Sequence, residues 1–537
     1  MTKPFLDQLK ITAGSIQETK DGLLLSGAQV SLELPTIPRR YLYSGWQSWS
    51  LTAWVETGRL VRPMRPSSLR AMQTDPRYAR ETRPHGSWYG AVEMPDGQVL
   101  LLGALGLESH VRLDGKILTG WYEEGAGAGE WFMGCGEETG LFEQYAALLK
   151  QHFGAGRAQK SLRVWCSWYS LYTGIDEARL LKILHDLGDL SSGTPFDVFQ
   201  VDDGWQIGIG DWEPNAKFPA GMQAMASQIR ATGRKAGLWL APLLVVPSSH
   251  LYREHPDWLL RDVHGRPVSA GFNWGEQLYA LDTSHPGALD WLRTLMQKVR
   301  GWGYEYVKLD FLYAGALHGQ RHIDMPRETA YRAGLKVLRE ALGEAYFLTC
   351  GAPVLPSLGL CDGLRVGPDV AALWSSHRDD NLLLNTATPG ARNALRTTLQ
   401  RLWLKPLVQT DPDVAYFRTR LNDLTSEQRQ FLQDLARIAD FKATSDVPAW
   451  LTESERAALR EFLERSPAIR KTGRSTYELD GRAVDFSMQT GLPVLPGPVT
   501  NLLGAIIGGL ANVPFLMKIF NGFEKRDLEK KLEDNPV

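Results

Sequence analysis

The sequence predicts an α/β protein, a central (β/α)8 TIM barrel preceded by a β-sandwich domain and followed by a small C-terminal region. Three observations carry that reading. Up to about residue 155 the chain is a series of short alternating stretches, clearest at 23–34 and 97–105, punctuated by Gly, Pro and Asp turns. From about residue 160 short apolar runs alternate with helical stretches, the pattern of βα units and a parallel sheet. About eight strands over roughly 285 residues match a closed barrel. An open doubly wound sheet fits less well, because no G-x-G-x-x-G turn follows any strand.

In order, the predicted barrel strands are 163–169, 196–202, 235–241, 306–310, 346–350, 363–366 and 404–410, with a shorter eighth at 441–445. Helices are expected at 177–187, 285–302, 327–342, 392–403 and 426–439. Before them only 142–153 reads as a long amphipathic helix, so residues 1–155 form the sandwich and 160–445 the barrel. Residues 446–490 form a small β-containing domain with one helix at 452–465. Residues 491–537 are an uncharged apolar segment and a charged tail, and nothing charged occurs from Phe486 to Met517. The stretch 502–520 is long enough to cross a bilayer, and Gly504 and Gly508 have a spacing that serves helix–helix contact. Its glycines, Asn512, Pro514 and Lys518 weaken a spanning helix, so a helix packed on protein is favoured over membrane contact.

Composition sets bounds on function. Hydrophobic residues make up 43% and charged residues 22% of 537, an ordinary globular balance with ample core. A formal charge of −2 predicts no general attraction to nucleic acid. Cys135, Cys166, Cys350 and Cys361 form no C-x-x-C pair and no Cys/His ligand spacing, which argues against a zinc site and a disulfide scaffold. The N-terminus MTKPFLDQLK has no continuous apolar run, so no secretory leader and a cytoplasmic location are expected. Eighteen tryptophans are many, and several sit beside polar loop residues. Most are expected in the core, but indoles near polar loops also offer flat faces for sugar rings.

Three acidic clusters close predicted strands. In Val307-Lys308-Leu309-Asp310, alternation puts Lys308 and Asp310 on one face. A neighbouring ammonium favours an ionised carboxylate, the form a glycosidase nucleophile needs, although an ordinary ion pair would explain this segment alone. In Arg365-Val366-Gly367-Pro368-Asp369, Gly367 and Pro368 take the chain out of regular structure just before the acid. A carboxyl crowded by another carboxylate is raised toward the range of a general acid/base; a turn aspartate is the plainer alternative. In Gln200-Val201-Asp202-Asp203-Gly204-Trp205, two adjacent acids ending an apolar strand are costly to bury unless they bind something. With Trp205 and Trp212 nearby, a sugar is favoured over a metal, for which no further ligand lies at suitable spacing.

Six segments in order, FQVDDGWQ (199–206), GDWEPNAKFPAGM (210–222), GRKAGLWLAP (233–242), YVKLDF (306–311), TCGAP (349–353) and RVGPDV (365–370), resemble glycoside hydrolase family 36 and more distantly family 27, the α-galactosidases. GWQSWS (45–50) is similar to the family's sandwich-domain signature. The resemblance covers roughly 160–415. It implies Asp310 as nucleophile and Asp369 as acid/base, with Asp202 and Asp203 holding the galactose 4- and 6-hydroxyls. Trp239, Lys308, Cys350 and Arg365 match residues lining the galactose subsite, and Trp46 one that reaches over it, a place Trp49 could also take. The implied reaction is retaining hydrolysis of terminal α-galactose from oligosaccharides of the melibiose and raffinose type, without cofactor or metal. An α-N-acetylgalactosaminidase or a raffinose-synthase-like galactosyltransferase would share these motifs. Leu309 stands where many members carry Trp, and the family's C-terminal β-domain is cut short at residue 487. The sequence does not reveal the oligomeric state.

Overall fold

The computed structural model describes residues 8–127, 129–156, 161–189, 196–493 and 497–537. The leader expectation and the start of the uncharged segment fall partly outside them.

Two antiparallel sheets form the N-terminal sandwich, one of five strands and one of seven. Strand Gln29–Glu33 shows why: Val30 and Leu32 point inward at 1% and 0% exposure while Gln29 is exposed, the period-two pattern of a half-buried strand. Helix Glu138–Phe153 leads out of the sandwich, its first turn capped by the Glu137 carboxylate on the Thr139 and Gly140 amides.

Eight parallel strands then follow in chain order: β1 Leu162–Cys166, β2 Val198–Val201, β3 Lys235–Leu240, β4 Tyr306–Leu309, β5 Tyr346–Thr349, β6 Gly363–Arg365, β7 Gln409–Asp411 and β8 Phe441–Thr444. β8 pairs with β1 through Leu162↔Phe441, and a parallel bridge from Val414 just past β7 to Ala443 closes the ring. β2, β4, β5 and β8 are buried at every position, as strands covered on both faces must be. The TIM barrel predicted from the sequence is thus present. Helices Ser426–Ala439 and Glu453–Glu464 start where the sequence offers T-x-x-Q and T-x-x-E, and both capping boxes form.

The structure corrects the predicted seventh strand. Leu402–Leu404 is a 3-10 turn, and only Gln409–Asp411 pairs with β6. The stretch 502–520 is likewise not one helix: α1 Pro498–Leu510 ends at a turn over 511–513 and α2 Pro514–Asp534 begins at Pro514, where proline suits a helix start. Among the described residues no helix is long and apolar enough to cross a membrane. A three-stranded antiparallel sheet, Ile469–Lys471, Thr476–Leu479 and Arg482–Asp485, precedes α1.

Candidate active site

The acids singled out in the sequence converge at the C-terminal ends of the barrel strands, the face on which barrels carry their chemistry. Asp310 follows β4 directly, and its amide still bonds the Leu240 carbonyl at 2.8 Å. Its Oδ2 accepts the Trp239 indole N–H at 3.0 Å and its Oδ1 the Phe311 amide at 2.8 Å. Phe311 sits at φ 54°. A bulky residue in the left-handed region is strained, and such strain gathers at functional sites. Register places Trp239 opposite Lys308 across β3 and β4, which brings both to the same mouth.

Lys308 reaches the end of β2, where its Nζ meets Asp202 Oδ2 at 3.1 Å with both side chains almost fully buried. Burial opposes the ammonium charge, but Asp202 and Asp310 beside it hold its pKa well above the ordinary value. Asp203 accepts the Gln206 amide at 2.6 Å and the Trp274 indole N–H at 2.7 Å. Burial nonetheless pushes its carboxyl up to about 6, those two bonds opposing.

Across the mouth Arg365, at the end of β6, holds three acids. Its Nε bonds Asp411 at 2.9 Å, while Nη1 bonds Asp413 at 2.8 Å and Asp369 at 3.1 Å. Asp413 also takes the Val370 amide at 2.9 Å and the Tyr169 hydroxyl, so it fixes the backbone next to Asp369. Burial raises Asp413 to about 7 although Arg365 opposes it. Burial also raises Asp369, with Arg365 and Lys308 opposing and Asp310 adding to the rise.

The loop 45–50 docks onto the chain after β5. Ser48 N bonds Ala352 O at 3.0 Å, and Val354 N bonds Trp46 O at 3.2 Å. Of its two tryptophans, Trp49 lies 4.9 Å from the Phe311 ring, beside Asp310. It also covers Gly351, next to the fully buried Cys350; a Cβ on Gly351 would come within 2.9 Å of the indole, and its φ is +52°. Trp46 instead packs under the Arg327 guanidinium, 5.2 Å away, and against Tyr313. Burial holds the Cys350 thiol well above its ordinary value, which makes it a neutral wall group.

Sequence reasoning missed Trp274, Asp411, Asp413 and Tyr169. Asp411-Pro-Asp413 closes a strand just as Asp202-Asp203 does, and that signal was available. Trp274 sits in the turn between Ser269–Asn273 and Glu276–Ala280, where nothing local marks it. Among the described residues Asp75, Glu123 and His318 bring possible metal-ligand atoms within 4.8 Å of one another. The Arg327 guanidinium already pairs with both acids, at 2.5 and 3.0 Å, which makes this an ion-pair cluster between sandwich and barrel.

Comparison with known proteins agrees with this architecture. The Melibiase family model matches residues 133–346, a span that includes Asp202, Asp203 and Asp310 and stops short of Asp369. The chain is 31% identical over 218 residues to alpha-galactosidase AgaA of Geobacillus stearothermophilus; the match covers 37% of this chain but 28% of that protein. Among solved structures it is similar to TtGalA, an alpha-galactosidase from Thermus thermophilus in complex with p-nitrophenyl alpha-D-galactopyranoside. That match has a TM-score of 0.85 and 45% identity, and it covers 90% of this chain and 97% of that one. A complex of TtGalA with stachyose gives 0.80 and 46%, over 85% and 97% of the two chains. With nearly the whole of that relative matched at this identity, the chain belongs to the melibiase family, glycoside hydrolase family 36.

Proposed function

We propose that the chain hydrolyses terminal α-linked galactose from oligosaccharides, retaining the anomeric configuration by double displacement. The observation that carries this reading is the division of labour between two acids at one mouth. Asp310 accepts two N–H donors, contacts that suit a carboxylate, while Asp369 is raised by burial and keeps a side chain 28% exposed against 7% for Asp310 as a whole. A nucleophile must be held; an acid/base must reach water.

In the first step Asp369 gives its proton to the glycosidic oxygen as Asp310 Oδ attacks the anomeric carbon, forming a β-galactosyl ester and releasing the aglycone. In the second, Asp369 takes a proton from water, which displaces Asp310 and yields α-galactose. Arg365 stays on Asp369 throughout and steadies its charged form between steps. Asp202 and Asp203 accept sugar hydroxyls, and Lys308 neutralises Asp202. Trp239 and Cys350 line the galactose ring, with Trp49 beyond it. Both steps use carboxyl groups and water alone.

The test is nitrophenol release from para-nitrophenyl α-galactoside, beside the α-glucoside and the α-N-acetylgalactosaminide, for the wild type and Asp310→Ala. α-Galactoside turnover that disappears in the variant is expected, with α-galactose as the first sugar seen by proton NMR. Appearance of β-galactose first, or equal turnover by the variant, overturns the mechanism; preference for the acetamido sugar overturns the substrate.

A further inference from the structure

The last forty residues take no part in the chemistry above, yet their contacts follow the mouth of the barrel. α1 begins against the loop that carries Asp369. A Cβ on Gly504 would overlap both the Arg65 guanidinium and the Leu382 carbonyl in the turn Arg378–Leu383, and Gly508 lies against Arg65 as well. Arg65 also bonds Asn501 at 2.7 Å, which anchors the helix to the sandwich loop beside that turn. Between the two helices Asn512 Oδ1 accepts the Ser68 amide at 3.0 Å.

α2 then passes over the loop that follows β3. Lys518 lies 3.9 Å from where a Cβ of Gly275 would be, one residue beyond Trp274, whose indole holds Asp203. The far end is pinned three times, each time to a loop at the same face. Leu532 is 6% exposed and packs on Gly174 after β1, so closely that a Cβ there would come within 2.3 Å of its Cδ1. Asn535 accepts Arg420, after β7, at 2.7 and 2.9 Å. Pro536 accepts the Trp450 indole, after β8, at 3.2 Å. One segment thereby touches the loops after β6, β3, β1, β7 and β8, all at the end where Asp202, Asp203, Asp310 and Asp369 lie.

We propose that residues 498–537 form a strap that narrows the entrance and sets how much sugar beyond the terminal galactose the site admits. This rests on the reading of the mouth as a galactoside site. Apolar burial of Leu532 and the glycine contacts at Gly504 and Gly508 hold the two ends. Between them the described contacts are polar bonds at Asn512, the Lys518 side chain and Leu528 half-buried against the core. Among the described residues of α2 Leu532 is the buried apolar anchor, so loss of Leu532 releases the C-terminal end. An aryl galactoside ends one ring past the scissile bond and passes the closed strap; a tetrasaccharide places two further rings in the strap's path. A strap open in about a tenth of the molecules would penalise the longer substrate about tenfold and leave the short one unaffected.

The experiment compares full-length wild type with Leu532→Asp, which releases the far end, and separately with Gly504→Leu, which lifts the near end. For each, kcat/KM is measured for para-nitrophenyl α-galactoside and for a tetrasaccharide ending in α-galactose. The ratio of tetrasaccharide to aryl substrate should rise about tenfold in Leu532→Asp and by less in Gly504→Leu. An unchanged ratio in a folded variant overturns the strap. If the wild type cleaves neither substrate, the proposed function fails instead, and hydrogen exchange on the same variants decides the strap. Faster exchange over 168–174 and 269–280 on release supports it; unchanged protection there overturns it.

Discussion

Arg401 offers a sharp test of how the sandwich is joined to the barrel. It is 1% exposed, and the four N–H groups of its Nη1 and Nη2 are shared among five main-chain carbonyls. Four belong to the docking loop, Gly45 at 3.0 Å, Gln47 at 3.0 Å, Ser48 at 2.6 Å and Ser50 at 3.2 Å; the fifth is Val366, three residues before Asp369, at 3.2 Å. The perturbation is Arg401→Met, which keeps the volume and removes every donor. At about 1.5 kcal/mol for each N–H so engaged, the four contribute about 6 kcal/mol. Against this stands the desolvation of the guanidinium, which pulls its pKa down to about 10. That depression from the ordinary value corresponds to about 3 kcal/mol that the variant regains. The net expectation is a loss of about 3 kcal/mol. Arg401→Lys, with three donors and no fork, should lose about half as much.

The assay is urea unfolding followed by tryptophan fluorescence, with kcat/KM for an aryl α-galactoside measured on the folded fraction. Because loop 45–50 carries Trp49 onto Phe311, activity should fall by more than the unfolded fraction explains. A loss below about 1 kcal/mol with normal kcat/KM would refute the claim that this residue staples the two domains.

Three further outcomes follow from the site and its scaffold. The Asp203 carboxyl, at about 6 in the folded protein, binds its proton more tightly there than in the unfolded chain. Its contribution to stability is therefore full below about pH 4 and declines as pH rises to about 6, by about 3 kcal/mol in all. Asp203→Asn should remove that slope, seen as urea midpoints of wild type and variant that converge or cross between pH 4 and pH 7. Trp274→Phe deletes the 2.7 Å bond that favours ionised Asp203, so Asp203 should titrate higher. The acid limb of kcat/KM then moves to higher pH, and the plateau falls about tenfold. Thr425→Ala opens the capping box with Gln428; it should lower stability by about 1 kcal/mol and leave kcat/KM unchanged.

The barrel was legible because its strands are closed on both faces and so appear as unbroken apolar runs; 306–310 and 346–350 each predicted a strand that ends one residue earlier. The run 404–410 misled for the same reason: Leu404, Leu407 and Val408 are buried at 0%, 1% and 3%, but in a turn that packs on the core without pairing. Hydrophobic periodicity reports burial, and only length and pairing separate a strand from a buried turn. At the site, acids adjacent to strand ends were readable, since a carboxylate after an apolar run demands an explanation. Trp274 was not, because its role depends on a hairpin folding back from after β3 to meet a residue after β2. The tail was half legible: its apolar character was plain, but which surface it covers is decided by Arg65, Gly174 and Trp450, each far away in sequence.

The electrostatics of the mouth join these parts. Asp202, Asp203, Asp310, Asp369, Asp411 and Asp413 face two cations, Lys308 and Arg365, so the acids outnumber the charges that can satisfy them. In so dry a place the excess cannot all ionise, and burial raises Asp203, Asp369 and Asp413 together. Burial thus favours the protonated form of these carboxyls, and the guanidinium shared by Asp369 and Asp413 makes the balance between them depend on geometry. Moving Asp369 away from Arg365 weakens the pull that opposes its protonation; moving it closer strengthens it. Asp413 fixes that distance from one side through the Val370 amide. Arg401 fixes it from the other through the Val366 carbonyl, and the same guanidinium grips the loop bearing Trp46 and Trp49. The sandwich thus acts on the mouth through the backbone that carries Asp369, and a change at their junction should register as a shifted pH profile before it registers as a lost fold.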